Sequence, residues 1–228
     1  APDRIIKTGS PMKEILDFYK SNIEESNILD SLRLKKKEYF LVSLHREENV
    51  ESKSKINNFL KILKAINNKY QMPIIVSTHP RTRTKLEDLD FVLNENENIR
   101  FLSPFGFFDY IKLQVNSYCV LSDSGSITEE ASILDFPALN LRDMNERPEG
   151  FEETTVMMVG LNLERILASL EIIKNQNANG AREFDIVKDY NVNNVSKKIV
   201  KIIQSYTDYI KRVVWKAVSY THLRAHET

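Results

Sequence analysis

Short apolar runs alternate with amphipathic helical stripes along most of this chain, and that alternation restricts the fold more than any other feature of the sequence. Two stripes have helical spacing, namely Ile56, Phe59, Leu60, Leu63 and Ile66, then Leu163, Ile166, Leu167, Leu170 and Ile173. The apolar runs predict strands at 39–44, 73–77, 99–102, 118–121, 138–141 and 155–159, and a last helix is predicted over 192–205. Apolar strands separated by helices are typical of a parallel sheet covered on both faces, so we predict an α/β, Rossmann-like, doubly wound fold.

Composition excludes several classes of partner. The 228 residues contain 32 Lys and Arg against 32 Asp and Glu, so no net positive field attracts nucleic acid or an anionic membrane. The single cysteine, Cys119, excludes an internal disulfide, and its apolar neighbours predict a buried thiol in a reducing cytoplasm. No stretch of the sequence has a targeting or membrane-spanning pattern. We therefore expect an anionic ligand, if one binds, to be held by local groups.

A small polar turn joins the fourth predicted strand to an amphipathic stretch that begins at Ile127. The turn consists of Asp123, Ser124, Gly125 and Ser126. A helix start leaves backbone N–H groups without partners and has the positive end of the helix dipole, so small residues there admit a phosphate. Capping of the helix by Asp or Ser would explain the same residues without any ligand. The turn alone leaves both interpretations open.

Two acidic residues follow the turn on the same predicted helix. Glu130 lies one turn beyond Ser126 on the same face, where its carboxylate could accept hydrogen bonds from a ribose diol. Glu129 is expected to face solvent.

A densely charged loop follows the fifth predicted strand and favours the ligand interpretation. It contains Arg142, Asp143, Glu146, Arg147, Pro148 and Glu149. Ligands of open parallel sheets bind outside the carboxyl ends of the strands, so the polar turn and this loop would share one crevice. We predict that Arg147 neutralises diphosphate charge and that Arg142 also contacts the substrate.

Four short motifs in this region resemble those of a known enzyme family. They read DSGS at 123–126, EE at 129–130, RD at 142–143 and ERPEG at 146–150. The non-hydrolysing UDP-N-acetylglucosamine 2-epimerases have DSGG, a paired Glu, RD and ERPE in this order, so Ser126 is a departure from the pattern. HREEN at 45–49 resembles the family's HRREN, and the resemblance extends over about 4–204.

Several residues point to one branch of that family. Ser126 and Asn140, with Met144, Asn145 and the segment 155–160, resemble capsule-related enzymes that form UDP-N-acetyl-L-fucosamine. The resemblance implies an isomerase that inverts C2 of a UDP-linked N-acetylhexosamine by eliminating and re-adding UDP, without a metal or redox cofactor. It also implies bacterial surface polysaccharide biosynthesis and a homodimeric complete protein.

The resemblance assigns roles to four further residues. His45 would donate a hydrogen bond to the diphosphate or protonate the leaving phosphate. Arg46 would either bind UDP or the substrate beside His45 or pair with Glu47 or Glu48. His79, in a segment similar to the family's HPN, is either a substrate contact or a structural histidine next to Pro80. Tyr110 matches an aromatic that contacts uracil, although the aromatic segment 101–110 is equally typical of core packing.

The resemblance also divides the chain. It implies a carboxyl-terminal domain of a two-domain, GT-B-like architecture, with residues 1–12 as an interdomain segment of a truncated protein and 13–208 as the UDP-binding domain. Residues 209–228 are expected to be a non-native tail, whose last ten residues resemble a translated sequencing adaptor. His222 and His226 in that tail have helical zinc-ligand spacing but no third ligand, so we predict no metal. The catalytic groups for the C2 proton are expected in the missing domain.

Two other functions fit a domain of this kind. Retaining glycosyltransferases of the GT-B class have the same carboxyl-terminal architecture and also place a glutamate on the ribose of a nucleotide sugar. A nucleotide-sugar sensor would bind the ligand without turnover. The combination of HREEN with RDMNERPEG resembles the epimerases and not the usual transferase pattern.

Overall fold

A six-stranded parallel sheet forms the centre of the molecule. The computed structural model describes residues 5–46, 49, 52–87, 98–144, 147–151, 153, 156–176 and 182–216. The strands are β1 (Phe40–Ser43), β2 (Ile74–Ser77), β3 (Ile99–Leu102), β4 (Cys119–Ser122), β5 (Ala138–Asn140) and β6 (Val156–Met158). Their order is β3-β2-β1-β4-β5-β6, and every neighbouring pair is parallel. All six predicted strands and the Rossmann-like, doubly wound fold are confirmed.

The described helices cover both faces of this sheet. They are α1 (Met12–Phe18), α2 (Lys20–Glu25), α3 (Ile28–Ser31), α4 (Lys53–Tyr70), α5 (Pro80–Glu87), α6 (Phe107–Asn116), α7 (Ile127–Leu134), α8 (Leu163–Gln176) and α9 (Val195–Tyr209). The two predicted stripes lie in α4 and α8, where Ile56, Leu63, Ile166 and Leu170 are buried. None of the described helices is long and apolar enough to cross a membrane.

The last helix differs from the prediction at both ends. The prediction was 192–205, whereas α9 begins at Val195, directly after Asn194, whose φ of 63° is left-handed and incompatible with the helix. The helix runs to Tyr209, and a π-helical turn continues from Ile210 to Val214. Helical structure therefore continues past residue 208, where the sequence analysis placed the end of the UDP-binding domain. Residues 217–228, including His222 and His226, lie outside the described part of the chain.

Two apolar clusters pack on opposite faces of the sheet. One contains residues of α4 and α8 against alternate strand positions such as Phe40 and Val42. The other contains residues of α3, α6 and α7 against the intervening positions such as Leu41 and Val120. Cys119 is completely buried, as predicted, and burial raises the pKa of its thiol. Because α4 follows β1 on one face and α7 follows β4 on the other, the order of the strands reverses between β1 and β4, which is where an open α/β sheet has a crevice at the carboxyl ends of its strands.

Candidate functional site

Polar side chains form a row across the carboxyl ends of the strands. The parallel register places Ser43 beside Ser77 on one side and Ser122 on the other, and Ser122 beside Asn140. Residues paired in this way project from the same face of a parallel sheet. The hydroxyl of Tyr110 on α6 forms hydrogen bonds with the side chains of Ser43 and Ser122. The crevice between β1 and β4 therefore has a polar floor in an otherwise apolar sheet.

Asp123 connects the carboxyl ends of β1 and β4 through hydrogen bonds. It follows β4 directly, it is completely buried, and its carboxylate accepts hydrogen bonds from the backbone N–H of Arg46 at 3.0 Å and Nδ2 of Asn49 at 3.0 Å. The backbone N–H of His45 donates to the same carboxylate at 3.2 Å. Burial acts to raise the pKa of Asp123, but the hydrogen bonds from His45, Asn49 and Arg46 outweigh it and hold the pKa below its usual value. Asp123 is thus a fixed negative charge beneath the segment that follows β1.

The same carboxylate orients the ring of His45. Nδ1 of His45 lies 3.0 Å from Oδ1 of Asp123, and the His45 side chain is 42% exposed. The hydrogen bond with Asp123 raises the pKa of His45, against an opposing effect of partial burial. Because Nδ1 faces Asp123, Nε2 is the nitrogen that can meet a ligand. The hydrogen bond with Asp123 thus favours the imidazolium form, which is the form of His45 that can donate a proton from Nε2.

The turn from β4 to α7 is held by serine hydroxyls. The backbone N–H of Ser124 donates to Oγ of Ser122 at 3.1 Å, and the hydroxyls of Ser124 and Ser126 are 3.0 Å apart. Ser126 is the N-cap residue of α7, but its side chain makes no capping hydrogen bond. Ser126 therefore does not cap α7 through its side chain, which was one of the two interpretations of this turn. Small side chains and the first-turn N–H groups of α7 meet at this point, which is the arrangement that accommodates an anion.

Arg147 packs against the same turn. Its Nε donates to the carbonyl oxygen of Gly125 at 3.0 Å, and a terminal nitrogen lies 2.7 Å from Oε1 of Glu129. Glu129 is buried, with 6% exposure, so the expectation that it faces solvent was wrong. The loop that contains Arg147 covers that face of α7, and the guanidinium compensates the buried carboxylate.

Glu130 lies on the neighbouring face of α7 and is also buried. Nε2 of Gln114, from α6, donates to Oε2 of Glu130 at 2.6 Å. Burial raises the pKa of Glu130, while hydrogen bonds from Gln114 and Ser126 act in the opposite direction. A carboxylate held between two helices at a strand end can accept hydrogen bonds from a hydroxylated ligand.

The remaining predicted residues lie at the same edge of the sheet. Arg46 is half-buried, and its Nε donates to the carbonyl oxygen of Asp123 at 3.1 Å. His79 is exposed at the start of α5, just beyond the end of β2. Arg142 follows β5 and is buried. The structure thus brings the predicted residues to one crevice edge, while their individual roles remain predictions; Glu47, Glu48, Asn145 and Glu146 lie outside the described residues.

Tyr110 occupies a different position from that of an exposed base-stacking ring. It is half-buried in the cluster under α6, and burial raises the pKa of its hydroxyl, which points at the strand ends. Elsewhere in the aromatic segment Phe101 is buried and Phe107 is 40% exposed. The core interpretation of the segment therefore holds for part of it, and the uracil contact of Tyr110 stays a prediction.

Sequence reasoning missed two residues that organise the site. Asp123 was considered only as part of the polar turn with its DSGS motif and as a helix cap, although an aspartate directly after a buried strand was a signal for a ligand-facing or histidine-orienting role. Gln114 was not considered, although it is four residues after Tyr110 and so shares its helix face. Among the described residues, no group of three or more His, Cys, Asp or Glu is placed to hold a metal ion.

Comparison with known proteins finds similarity to one family. The family model described as UDP-N-acetylglucosamine 2-epimerase matches residues 1–204. The UDP-N-acetylglucosamine 2-epimerase of Methanocaldococcus jannaschii is 37% identical over 149 residues, which cover 64% of this chain and 41% of that protein.

Solved structures of similar proteins agree in fold. The UDP-N-acetylglucosamine 2-epimerase of Rickettsia bellii is 47% identical with a TM-score of 0.82, covering 92% of this chain and 55% of that one. The Methanocaldococcus jannaschii enzyme in complex with UDP-GlcNAc and UDP is 29% identical with a TM-score of 0.79, covering 90% and 56%. This chain therefore spans about half the length of the proteins that it matches.

Proposed function

This chain belongs to the UDP-N-acetylglucosamine 2-epimerase family, and we propose that it supplies the UDP-binding part of an enzyme that inverts C2 of a UDP-linked N-acetylhexosamine. The observation on which the proposal depends is the Asp123–His45 pair beside the start of α7. It places a proton donor next to helix amides at the reversal point of the sheet, where open α/β sheets bind nucleotides.

The chemistry of this reaction requires a stabilised leaving group. Removal of the C2 proton while the bond between C1 and the UDP oxygen breaks gives a glycal and free UDP, and re-addition of UDP with a proton from the other face gives the C2 epimer. Negative charge develops on the diphosphate as it departs. His45 Nε2, the amides of 124–126 and Arg147 are the groups that would stabilise this charge and retain UDP between the two steps.

Arg147 would contact the diphosphate without leaving its partners in the protein. In the structure Arg147 is engaged by Glu129 and by the carbonyl oxygen of Gly125. A diphosphate bound at 124–126 would lie against the same guanidinium, whose several donors can serve a phosphate and Glu129 together. Arg142 and Arg46 would add positive charge at the ends of β5 and β1, and His79 would be a further substrate contact at the end of β2.

Glu130 and Tyr110 complete the proposed nucleotide site. Glu130 would accept hydrogen bonds from the ribose hydroxyls, and Tyr110 would contact uracil from α6. The groups that move the C2 proton are proposed to lie outside this chain, because the matched proteins are about twice as long. On this proposal residues 1–12 connect to that other part, 13–208 bind UDP, and 209–228 are not native.

The finer assignment concerns the sugar and the biological role. Ser126 in place of the family's second glycine, together with Asn140, supports the branch that forms UDP-N-acetyl-L-fucosamine. On this proposal the enzyme acts in the bacterial cytoplasm, and its product is used for surface polysaccharides. Asn140 is buried beside Ser122 at the crevice floor. We propose that the full-length protein is a homodimer. The branch is tested by giving that protein UDP-N-acetylglucosamine and a 6-deoxy UDP-N-acetylhexosamine as competing substrates and following both by NMR. Turnover of UDP-N-acetylglucosamine alone would contradict the assignment to this branch.

The first prediction is that the 228-residue chain binds UDP but does not epimerise a UDP-N-acetyl sugar. Calorimetric titration with UDP measures the first part, and NMR detection of C2 epimers measures the second. Inorganic diphosphate serves as a ligand control, because it lacks the ribose and base that Glu130 and Tyr110 would hold. Absence of UDP binding would contradict the site, and appreciable epimerisation would contradict the proposal that the C2 groups lie elsewhere.

A further inference from the structure

Gln114 is a buried polar residue at the contact between α6 and α7. Its side chain is completely buried, and its Nε2 donates to Oε2 of Glu130 at 2.6 Å. Within the part of the chain that the structure describes, its amide oxygen has no hydrogen-bond partner. Because a carboxylate only accepts hydrogen bonds, the orientation of the amide is fixed by Glu130, and the oxygen must point away from it.

This arrangement is unfavourable for stability. A buried amide oxygen without a partner loses its hydration without compensation, whereas an apolar side chain of the same length would fill the space at no such cost. The interior around it is apolar, with Leu113 and Ile111 buried on the same helix. The benefit of a glutamine at this position must therefore come from its bond with Glu130.

That bond restricts the Glu130 carboxylate. Gln114 holds one carboxylate oxygen, and the side chain of Ser126 also forms a hydrogen bond with Glu130. The carboxylate is thereby fixed in rotation at the start of α7. Glu130 lies close to Glu129, Arg147 and Tyr110, so a carboxylate that rotated freely could turn toward Arg147 instead of the crevice.

We propose that Gln114 is a positioning residue that holds Glu130 in the orientation in which it accepts the ribose hydroxyls of the nucleotide. The inference rests on the UDP-binding function proposed above. Gln114 does not touch the ligand on this proposal; it determines how strongly the site distinguishes a ribonucleotide from a 2′-deoxyribonucleotide. The chemical class that it selects is a nucleoside diphosphate with an intact ribose diol.

The test compares UDP with 2′-deoxy-UDP on the wild-type chain and on Gln114→Met, which has an unbranched side chain of similar length and no donor. A hydrogen bond to a charged group corresponds to about a tenfold or larger change in affinity, so the wild type should prefer UDP by about that factor. Gln114→Met should lose most of this preference while it retains binding of 2′-deoxy-UDP. Gln204→Met, on an exposed position of α9, is the matched control and should keep the full preference.

A merely structural role for Gln114 gives a different result. Loss of packing would lower the unfolding temperature, or weaken both nucleotides equally, and would leave the ratio of their affinities unchanged. An unchanged ratio in a folded Gln114→Met chain overturns the inference. Equal binding of both nucleotides by the wild type overturns it as well, whereas no UDP binding at all removes the proposed function and this inference together.

A second variant covers the case in which Gln114→Met does not fold. Gln114→Asn keeps an amide at this position but shortens the side chain by one carbon, so that it no longer reaches Glu130, which bonds with Nε2 of Gln114 at 2.6 Å in the wild type. This chain should fold and should lose most of the preference for UDP over 2′-deoxy-UDP, although Glu130 is unchanged. Retention of the full preference would show that the hydrogen bond from Gln114 does not control ribose recognition.

Discussion

At the scale of single residues, Asp123 is the group that connects the fold with the proposed chemistry. A completely buried carboxylate requires several donors to remain ionised, and here the donors come from Arg46, Asn49 and His45, all in the segment after β1. The requirement to satisfy Asp123 therefore determines the path of that segment and the orientation of the His45 ring.

Asp123→Asn should lower the pKa of His45 toward or below its ordinary value. The pKa of His45 is raised in the folded chain mainly by its hydrogen bond with Asp123, so this bond stabilises the fold fully below pH about 6.5, and the contribution is lost as pH rises through the folded pKa. The pKa of Asp123 is lowered in the folded chain, so the ionised carboxylate also stabilises the fold. This contribution to stability is lost at acidic pH, as the pH falls through the folded pKa of Asp123.

An NMR titration of the imidazole resonances measures this change, with His45→Gln to assign the signal. UDP affinity should fall in Asp123→Asn by about tenfold or more, because a lower His45 pKa reduces the fraction of imidazolium that can donate a hydrogen bond to the phosphate. An unchanged His45 titration in a folded Asp123→Asn chain would show that the pair is not coupled.

At the scale of elements, the strands were predictable and the loop that covers α7 was not. Each strand is a mainly apolar run of three or four residues between polar segments, so local pattern suffices to locate it. The burial of Glu129 depends on Arg147, which is 18 residues later and on a loop without periodicity. A helix pattern alone predicts exposure for such a residue, because the compensating charge comes from a distant segment.

The start of α9 was missed for a related reason. The apolar spacing extends before Val195, but Asn194 has a left-handed φ of 63°, and backbone conformation at one residue is not encoded in hydrophobic periodicity. The helix also continues past the predicted end, since nothing in its sequence between residue 205 and Tyr209 interrupts it.

Glu129→Gln should destabilise the contact between α7 and the loop that contains Arg147. The substitution keeps the shape of Glu129 but leaves the guanidinium without its buried counter-charge; because Arg147 is about one-third exposed, we expect a loss of about 1–2 kcal/mol in the free energy of unfolding. Chemical denaturation measures this difference. The exposed pair of Lys13 and Asp17 provides the control, since Asp17→Asn should change stability by no more than about 0.5 kcal/mol. Equal effects of the two substitutions would contradict the prediction that Glu129 stabilises the contact between α7 and the loop that contains Arg147.

At the scale of the whole molecule, the sequence predicted which residues would meet at one edge of the sheet but not which hydrogen bonds hold them together. Strand order follows from the alternation of strands and helices, and the reversal between β1 and β4 places His45 and 123–126 at one edge. The hydrogen bonds of Asp123 and Gln114 join segments that are 74 to 78 residues and 16 residues apart, respectively. Such pairings depend on side-chain packing in three dimensions, which composition and periodicity do not specify.

The zero formal net charge of the chain predicts how UDP binding responds to salt. Without a net positive field, attraction of UDP depends on the cationic groups at the crevice, and the proposal places His45 and Arg147 at the departing diphosphate. The double substitution His45→Gln with Arg147→Gln should therefore weaken the salt dependence of UDP affinity in calorimetric titrations at increasing ionic strength, and the part that remains should come from Arg46 and Arg142. Lys61→Gln with Lys201→Gln removes two exposed charges from α4 and α9 and should leave it unchanged. If the distant lysines mattered as much as the crevice groups, UDP would be attracted by the general field of the protein rather than by the site between β1 and β4.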